Sequence, residues 1–319
     1  MAATDFRWSE LAFGSKKPLR ELKAVFIAAP RDISVKRLTQ LIQDNLASSN
    51  ILLGIASEGY IVGFEGQPQF KTLTLGKVQS LLKKVNAAKL KHKVYTLEYA
   101  QRDLQFILEK IPFQKVIFLN GSWKFMFHTT PPYFMLNIQK TPYELLSPFA
   151  NDKEAIDYAD KFLVRDRKYT ASYEAADMLE IANEASKLSF DYCFQTGASL
   201  GKASGKRYKV LATSFNKVVP YQTYAMLNGS LRERNFSPVN DLNHYDTVHA
   251  EVELMLAANQ KKVNLKGTTV FINLLPCPSC ARMLSDSPVS EIVYREDHSD
   301  GYAVKVLEAA GKKVTRLVV

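Results

Sequence analysis

Four side chains in the last third of the chain have types and spacings that could do chemistry. His249-Ala250-Glu251 sets an imidazole two positions before a carboxylate, and Pro276-Cys277-Pro278-Ser279-Cys280 sets two thiols three positions apart. Twenty-seven residues separate His249 from Cys277. A zinc ion takes nitrogen and thiolate ligands in a tetrahedron, so His249, Cys277 and Cys280 fill three corners and leave the fourth for water. Three protein ligands and one open corner are the arrangement of a catalytic site rather than a structural one. Glu251 need not bind the metal to matter, because a carboxylate beside an activated water can take its proton and pass it on. Two other readings of Cys-x-x-Cys are a structural zinc half-site and a redox pair. The chain has only three cysteines and no second Cys-x-x-Cys to complete a structural site. Cys193, alone, reads as a small buried hydrophobe.

These groups must be positioned by the elements around them. Gly267 to Leu274 reads as a strand and Cys277 to Ser285 as a helix, so the thiols sit where a strand gives way to a helix N-terminus. Free amides and the helix dipole there favour thiolate. Tyr245 to Asn259 reads as a second helix carrying His249 and Glu251. Around them, Tyr173 to Leu188 reads as a helix, Arg207 to Phe215 and Glu291 to Tyr294 as strands, Gly301 to Ala310 as a helix and Lys313 to Val318 as a last strand. Gly197 to Lys202 approaches a phosphate loop but has one residue too few between its glycines, and Ala203 stands where Ser or Thr is required.

The His-x-Glu and Pro-Cys-x-x-Cys pair is the signature of zinc deaminases that act on nucleobases. Residues from about 174 to 318 resemble the cytidine and deoxycytidylate deaminase superfamily, nearest its deoxycytidylate branch. Besides the metal motifs, Thr196-Gly197-Ala198 resembles the family's opening strand, and Ala212 to Pro220 resembles its G-Y-N-G-x-P segment. The resemblance implies a three-layer α/β/α domain with a mixed sheet, bound Zn2+, Glu251 as the proton carrier and Asn216, Ala250, Pro276 and Ser279 as substrate contacts. It implies release of ammonia from a cytosine nucleotide, dCMP or CMP. Related enzymes commonly assemble as homo-oligomers. Ser214 and Lys217 stand where the family has glycine, and His298 lies near where the deoxycytidylate branch has Tyr. Residues 221–247 look like an insertion, in which Arg232 and Arg234 could meet a substrate phosphate.

The N-terminal part differs in kind. Short apolar runs at Leu22–Ala29, Asn50–Ala56, Lys93–Tyr99 and Lys115–Asn120 alternate with helical patterns. One helix follows a capping Ser34; the others run over Thr74–Ala88 and Arg102–Lys110. That order predicts a Rossmann-like α/β domain over residues 1–150, after an arm at residues 1–20, and a deaminase-like domain over 151–319. Residues 139–168 read as a connector. Ligands in such sheets bind beyond strand carboxyl ends, which points to the loops at 29–32, 57–69 and 120–130. The net charge is +10. Residues 1–150 hold 20 Lys and Arg against 11 Asp and Glu, so the basic excess lies there. It suits an anionic partner or simply solvates a face. An RNA or single-stranded DNA deaminase that captures its substrate through this half, and a silent nucleotide sensor, are therefore carried as alternatives. No apolar run reaches membrane length and no signal peptide is evident, so a cytoplasmic protein without membrane contact is expected.

Overall fold

A computed structural model describes residues 23–162, 168–238, 241 and 243–318. The arm expected at 1–20 and part of the charged stretch after Asp152 lie outside the described residues. The chain divides into two compact units. Unit 1 takes in the chain up to Lys161 and also Thr223–Phe236; unit 2 takes in Phe162–Gln222 and the chain from Ser237 onward.

Unit 1 is a five-stranded sheet in the order β3-β2-β1-β4-β5. Its elements are β1 (Ala24–Ala28), α1 (Val35–Leu46), β2 (Asn50–Ala56), α2 (Leu75–Ala87), β3 (Val94–Tyr99), α3 (Leu104–Lys110), β4 (Lys115–Leu119), α4 (Pro131–Gln139), β5 (Tyr143–Leu146) and α5 (Asp152–Asp160). Every pairing is parallel. Apolar side chains alternate between the two faces, as the strand period requires. Val25, Ile27, Ile51, Leu53 and Ile117 meet α1 and α2 through Leu38, Leu41, Ile42 and Val78. Phe26, Leu52, Val116 and Phe118 meet α3 and α4 through Ile107, Leu108 and Leu136. Helices therefore cover both faces, and β1 is buried along its whole length. Ser34 caps α1 as expected, its hydroxyl accepting from the Arg37 amide at 3.0 Å.

The described part of the region read as a connector, residues 139–162 and 168, includes regular elements, and a helix precedes it. Pro131 and Pro132 open α4, where a missing amide costs nothing because first-turn amides lack helix partners anyway. β5 is a four-residue edge strand, and Asn151 caps α5 by accepting from the Glu154 amide. Pro142 and Pro148, which read as linker punctuation, instead flank an edge strand.

Unit 2 is a six-stranded mixed sheet, β13-β12-β11-β7-β8-β6. Its elements are β6 (Ser172–Tyr173), α6 (Ala175–Ser186), β7 (Gly197–Ser204), β8 (Arg207–Phe215), β9 (Lys217–Val218), β10 (Thr247–Val248), α7 (Ala250–Gln260), β11 (Thr268–Leu274), α8 (Pro278–Ser285), β12 (Glu291–Glu296), α9 (Tyr302–Ala309) and β13 (Lys313–Arg316). β11, β12 and β13 run parallel, while β6, β7 and β8 add antiparallel partners. On β11 alone, Val270 and Ile272 face α7, α8 and α9, and Phe271 faces α6. That is three layers, helix, sheet and helix. The helix expected from Tyr245 begins later, at Ala250, because Thr247 and Val248 pair with Val218 and Lys217 instead.

Gly197 opens β7 against α6. A Cβ there would lie 2.0 Å from the Ala182 carbonyl oxygen and 2.5 Å from the Ser186 amide nitrogen. Both are backbone atoms that no rotamer change can move. Gly197→Ala should therefore destabilise the chain by about 2–3 kcal/mol. Urea unfolding followed by circular dichroism checks this: the midpoint should fall with little change in slope.

Candidate metal centre

Two chain segments end at the same point. β10 pairs antiparallel with β9, and His249 follows it directly as the N-cap residue of α7. β11 runs out at Leu274, the Leu275 amide is held by the Glu296 carbonyl at 2.8 Å, and Cys277 becomes the N-cap of α8. Pro278 takes the first helical position, which fixes the backbone just after the thiol. The Cys280 amide donates to Cys277 Sγ at 3.5 Å, so the orphan amides of α8 turn toward the sulfur. Both motif halves thus sit at helix N-termini.

The imidazole joins them. His249 Nδ1 lies 3.4 Å from Cys277 Sγ and 3.4 Å from Cys280 Sγ. One ligand atom from each of the three residues falls within 4.8 Å of the others. Zinc–nitrogen bonds of about 2.0–2.1 Å and zinc–sulfur bonds of about 2.3 Å, meeting at a tetrahedral angle, separate nitrogen and sulfur by about 3.5 Å. The observed separations match, so the donor set fits zinc in both type and span. The Tyr245 ring meets the His249 ring edge-on, centroids 4.7 Å apart, and restrains its orientation.

Charge is arranged to suit. The hydrogen bond with Cys280, reinforced by His249, pulls the Cys277 thiol down to about 4. The hydrogen bond with Cys277 and burial push the Cys280 thiol up. The hydrogen bond with Cys277 raises His249. A cation bound between the two sulfurs would favour thiolate at both. Glu251 stands on the first turn of α7, only 3 % exposed, and burial pushes its carboxyl up. Ala250 beside it is fully buried, and its carbonyl accepts from the Ser214 hydroxyl at 2.7 Å.

The other sequence-predicted residues fall out differently. Pro276 is buried in the turn ahead of Cys277, and Ser279 is exposed on the first turn of α8. Asn216 is buried and committed to the protein: its Oδ1 accepts from the Thr196 amide at 2.9 Å, and its Nδ2 donates to the Phe194 carbonyl at 2.8 Å and to Asp191 at 3.2 Å. It braces the 189–196 loop ahead of β7. Arg232 and Arg234 lie in the helical turn Leu231–Arg234, which belongs to unit 1. The apparent insertion at 221–247 therefore splits between the units: 223–236 belong to unit 1, and both its ends belong to the metal-bearing unit.

Asp191, Tyr245 and Ser214 were not singled out as members of this site. Asp191 accepts from the Cys193 and Phe194 amides and from Asn216, and its charge helps raise His249. Nothing local in the sequence marks these three, because each acts across the fold. The only cue was Ser214, where the resembled family has glycine.

Residues 174–296 match the family model described as the cytidine and deoxycytidylate deaminase zinc-binding region. Unit 2 carries that region apart from residues 223–236, which belong to unit 1. The chain is similar to the probable deoxycytidylate deaminase of Drosophila melanogaster, 26% identical over 130 residues, covering 41% of this chain and 61% of that protein. It is also similar to the deoxycytidylate deaminase of Enterobacteria phage T2, 28% identical over 68 residues, covering 21% of this chain and 36% of that protein. The chain thus spans less than two thirds of the curated relatives it matches. Among solved structures, the dCMP deaminase of cyanophage S-TIM5 in complex with dCMP and dUMP aligns over 44% of this chain and 95% of its own, with 19% identity and a TM-score of 0.37. No helix among the described residues is long and apolar enough to cross a membrane.

His249, Cys277 and Cys280 are the residues that would hold zinc. Replacing any one of them with Ala should weaken zinc binding by more than about a hundredfold, since even ligand-supporting residues are worth ten- to a hundredfold. Competition with a chromogenic chelator measures this. Near-native unfolding midpoints for the zinc-free variants would show that the loss is local.

Proposed function

We propose that unit 2 is a hydrolytic deaminase that converts a cytosine nucleotide, dCMP first and CMP second, into the uracil nucleotide and ammonia. The observation that carries the reading is one constellation. A histidine nitrogen and two cysteine sulfurs stand at tetrahedral spacing, with a buried carboxylate two residues from the histidine, inside a segment that matches the deaminase zinc-binding region. Zinc held by these residues, when bound, supplies the Lewis acidity that makes water a nucleophile near neutral pH.

The protein's own groups carry the rest. Glu251 takes a proton from the attacking water and delivers it to N3 of the ring, then carries the second proton to the departing amine. A C–O bond forms at C4, the C–N bond breaks, and the products are a carbonyl and ammonia. A buried carboxylate suits this work because it can hold a proton between the two transfers. Asn216 and Asp191 fix the loop before β7, so their contribution is to position the pocket wall. Ala250 and Pro276 supply backbone and apolar surface beside the metal residues. Ser279, exposed on the first turn of α8, is the remaining candidate contact.

Ammonia release from zinc-loaded protein tests the reading. The substrates are dCMP, CMP, deoxycytidine, dCTP, tRNA and single-stranded DNA. We expect turnover of a free cytosine nucleotide, and a fall of at least about a thousandfold in Glu251→Gln with zinc still bound. Turnover of polymer alone would move the activity to nucleic-acid editing. Zinc binding without any turnover would contradict the enzymatic reading.

A further inference from the structure

Unit 1 contains a cavity of about 290 Å³ that the zinc chemistry does not use. It lies along β5 on the face of the sheet covered by α3 and α4, and it reaches Asn120 just past the carboxyl end of β4. The strand order reverses between β1 and β4, and ligands of parallel α/β sheets bind outside strand carboxyl ends at such a reversal. The volume is near the lower end of small-molecule sites, which run from about 300 to 1,000 Å³, and it suits one nucleoside rather than a polymer.

The lining specifies a flat ring. Phe127, Tyr133, Tyr143 and Phe236 all border the cavity. Phe127, Tyr133 and Tyr143 pack on one another and Phe236 packs on Tyr133, at steep angles with centroids 5.6–6.4 Å apart, so the four rings form one aromatic wall against which a flat ring can lie. Phe236 is exposed and closes the solvent side.

Asn120 specifies what the ring must carry. Its side chain is 3 % exposed, and its Nδ2 donates to the Met226 carbonyl at 3.1 Å, which fixes the amide's orientation. Its Oδ1 is buried and has no hydrogen-bond partner. A buried acceptor left unsatisfied costs roughly 1–3 kcal/mol, which a ligand N–H placed there would recover. Glu233 adds a buried carboxylate to the wall, held in place by the Trp123 indole N–H and by the Phe127 amide at 3.0 Å. On the solvent side, exposed Arg234 supplies a guanidinium suited to a phosphate. The charge excess of residues 1–150 has the matching sign.

We propose that this cavity in unit 1 binds a free nucleotide whose base carries an exocyclic amine, with the amine donating to Asn120 and the phosphate meeting Arg234. The site is distinct in residues and in chemistry from the zinc centre, and it stands whether or not unit 2 deaminates anything.

Isothermal titration of the full chain carrying His249→Ala, which disables the zinc centre, tests the proposal. The probes are AMP, CMP and purine riboside 5′-monophosphate, which lacks the amine. AMP or CMP should bind at one per chain, and the amine-less analogue on the order of tenfold more weakly than AMP. Asn120→Ala should weaken the amine-bearing nucleotide by a similar factor and abolish its advantage over the analogue. Phe236→Ala, which removes an exposed ring and leaves the core intact, should weaken all nucleotides together. The proposal is overturned if neither AMP nor CMP binds up to about 1 mM, or if the analogue binds as tightly as AMP. It is equally overturned if binding vanishes with His249→Ala in a folded chain, for that would assign it to the zinc centre.

Discussion

The site in unit 2 depends on one meeting of backbone ends. Two helices begin within hydrogen-bonding distance of one nitrogen atom: α7 presents His249 at its cap and α8 presents Cys277 at its cap and Cys280 on its first turn. Helix N-termini concentrate unpaired amides and the positive end of the dipole, so they tolerate thiolate charge that the interior would reject. The same geometry puts Glu251 on the first turn of α7 and buries it. Three donor atoms suited to a cation and a protonatable carboxylate are thus assembled from two helix starts.

Everything else in unit 2 serves to bring those starts together. α7 and α8 pack on the same face of the sheet through Leu254, Ala258, Ala281 and Leu284, so each helix is fixed relative to β7 and β11. Small residues at Ala198, Ala212, Ala250 and Ala258 let helix and sheet approach closely. On the opposite face, Gly197 lets β7 run hard against α6, and Ser199 donates to the Met178 carbonyl at 2.9 Å across the same interface. The loop between α6 and β7 is then locked by Asn216 and Asp191. Rigid elements on both sides hold the ligand residues, and that is what a metal site needs if it is to keep one corner open.

The metal motifs were legible in the sequence because their geometry is local. A Pro-Cys-x-x-Cys after an apolar run, and a His-x-Glu before one, each encode a helix start within a few residues. Ser34 was legible as a cap for the same reason. The strand–helix alternation of unit 1 was read correctly through β4 and lost afterwards. There Pro142, Pro148 and a charged stretch mimic a linker, while in the fold the two prolines flank β5 and the charged stretch opens with α5. Asn216 was read as a substrate contact, yet its hydrogen bonds run to Thr196, Phe194 and Asp191, 20 to 25 positions away. Likewise, Trp123 and Phe127 on one segment share Glu233 on another, more than 100 positions distant. No periodicity encodes such pairings, and they are why residues 223–236 belong to unit 1 although they interrupt the zinc-binding segment.

His249, Cys277 and Cys280 would together hold a zinc ion with one corner left to solvent. X-ray absorption at the zinc edge of the loaded full chain reads the coordination shell directly. Two sulfur atoms at about 2.3 Å and two nitrogen or oxygen atoms at about 2.0 Å are expected. A shell of four sulfurs, or one of oxygens without sulfur, would contradict this.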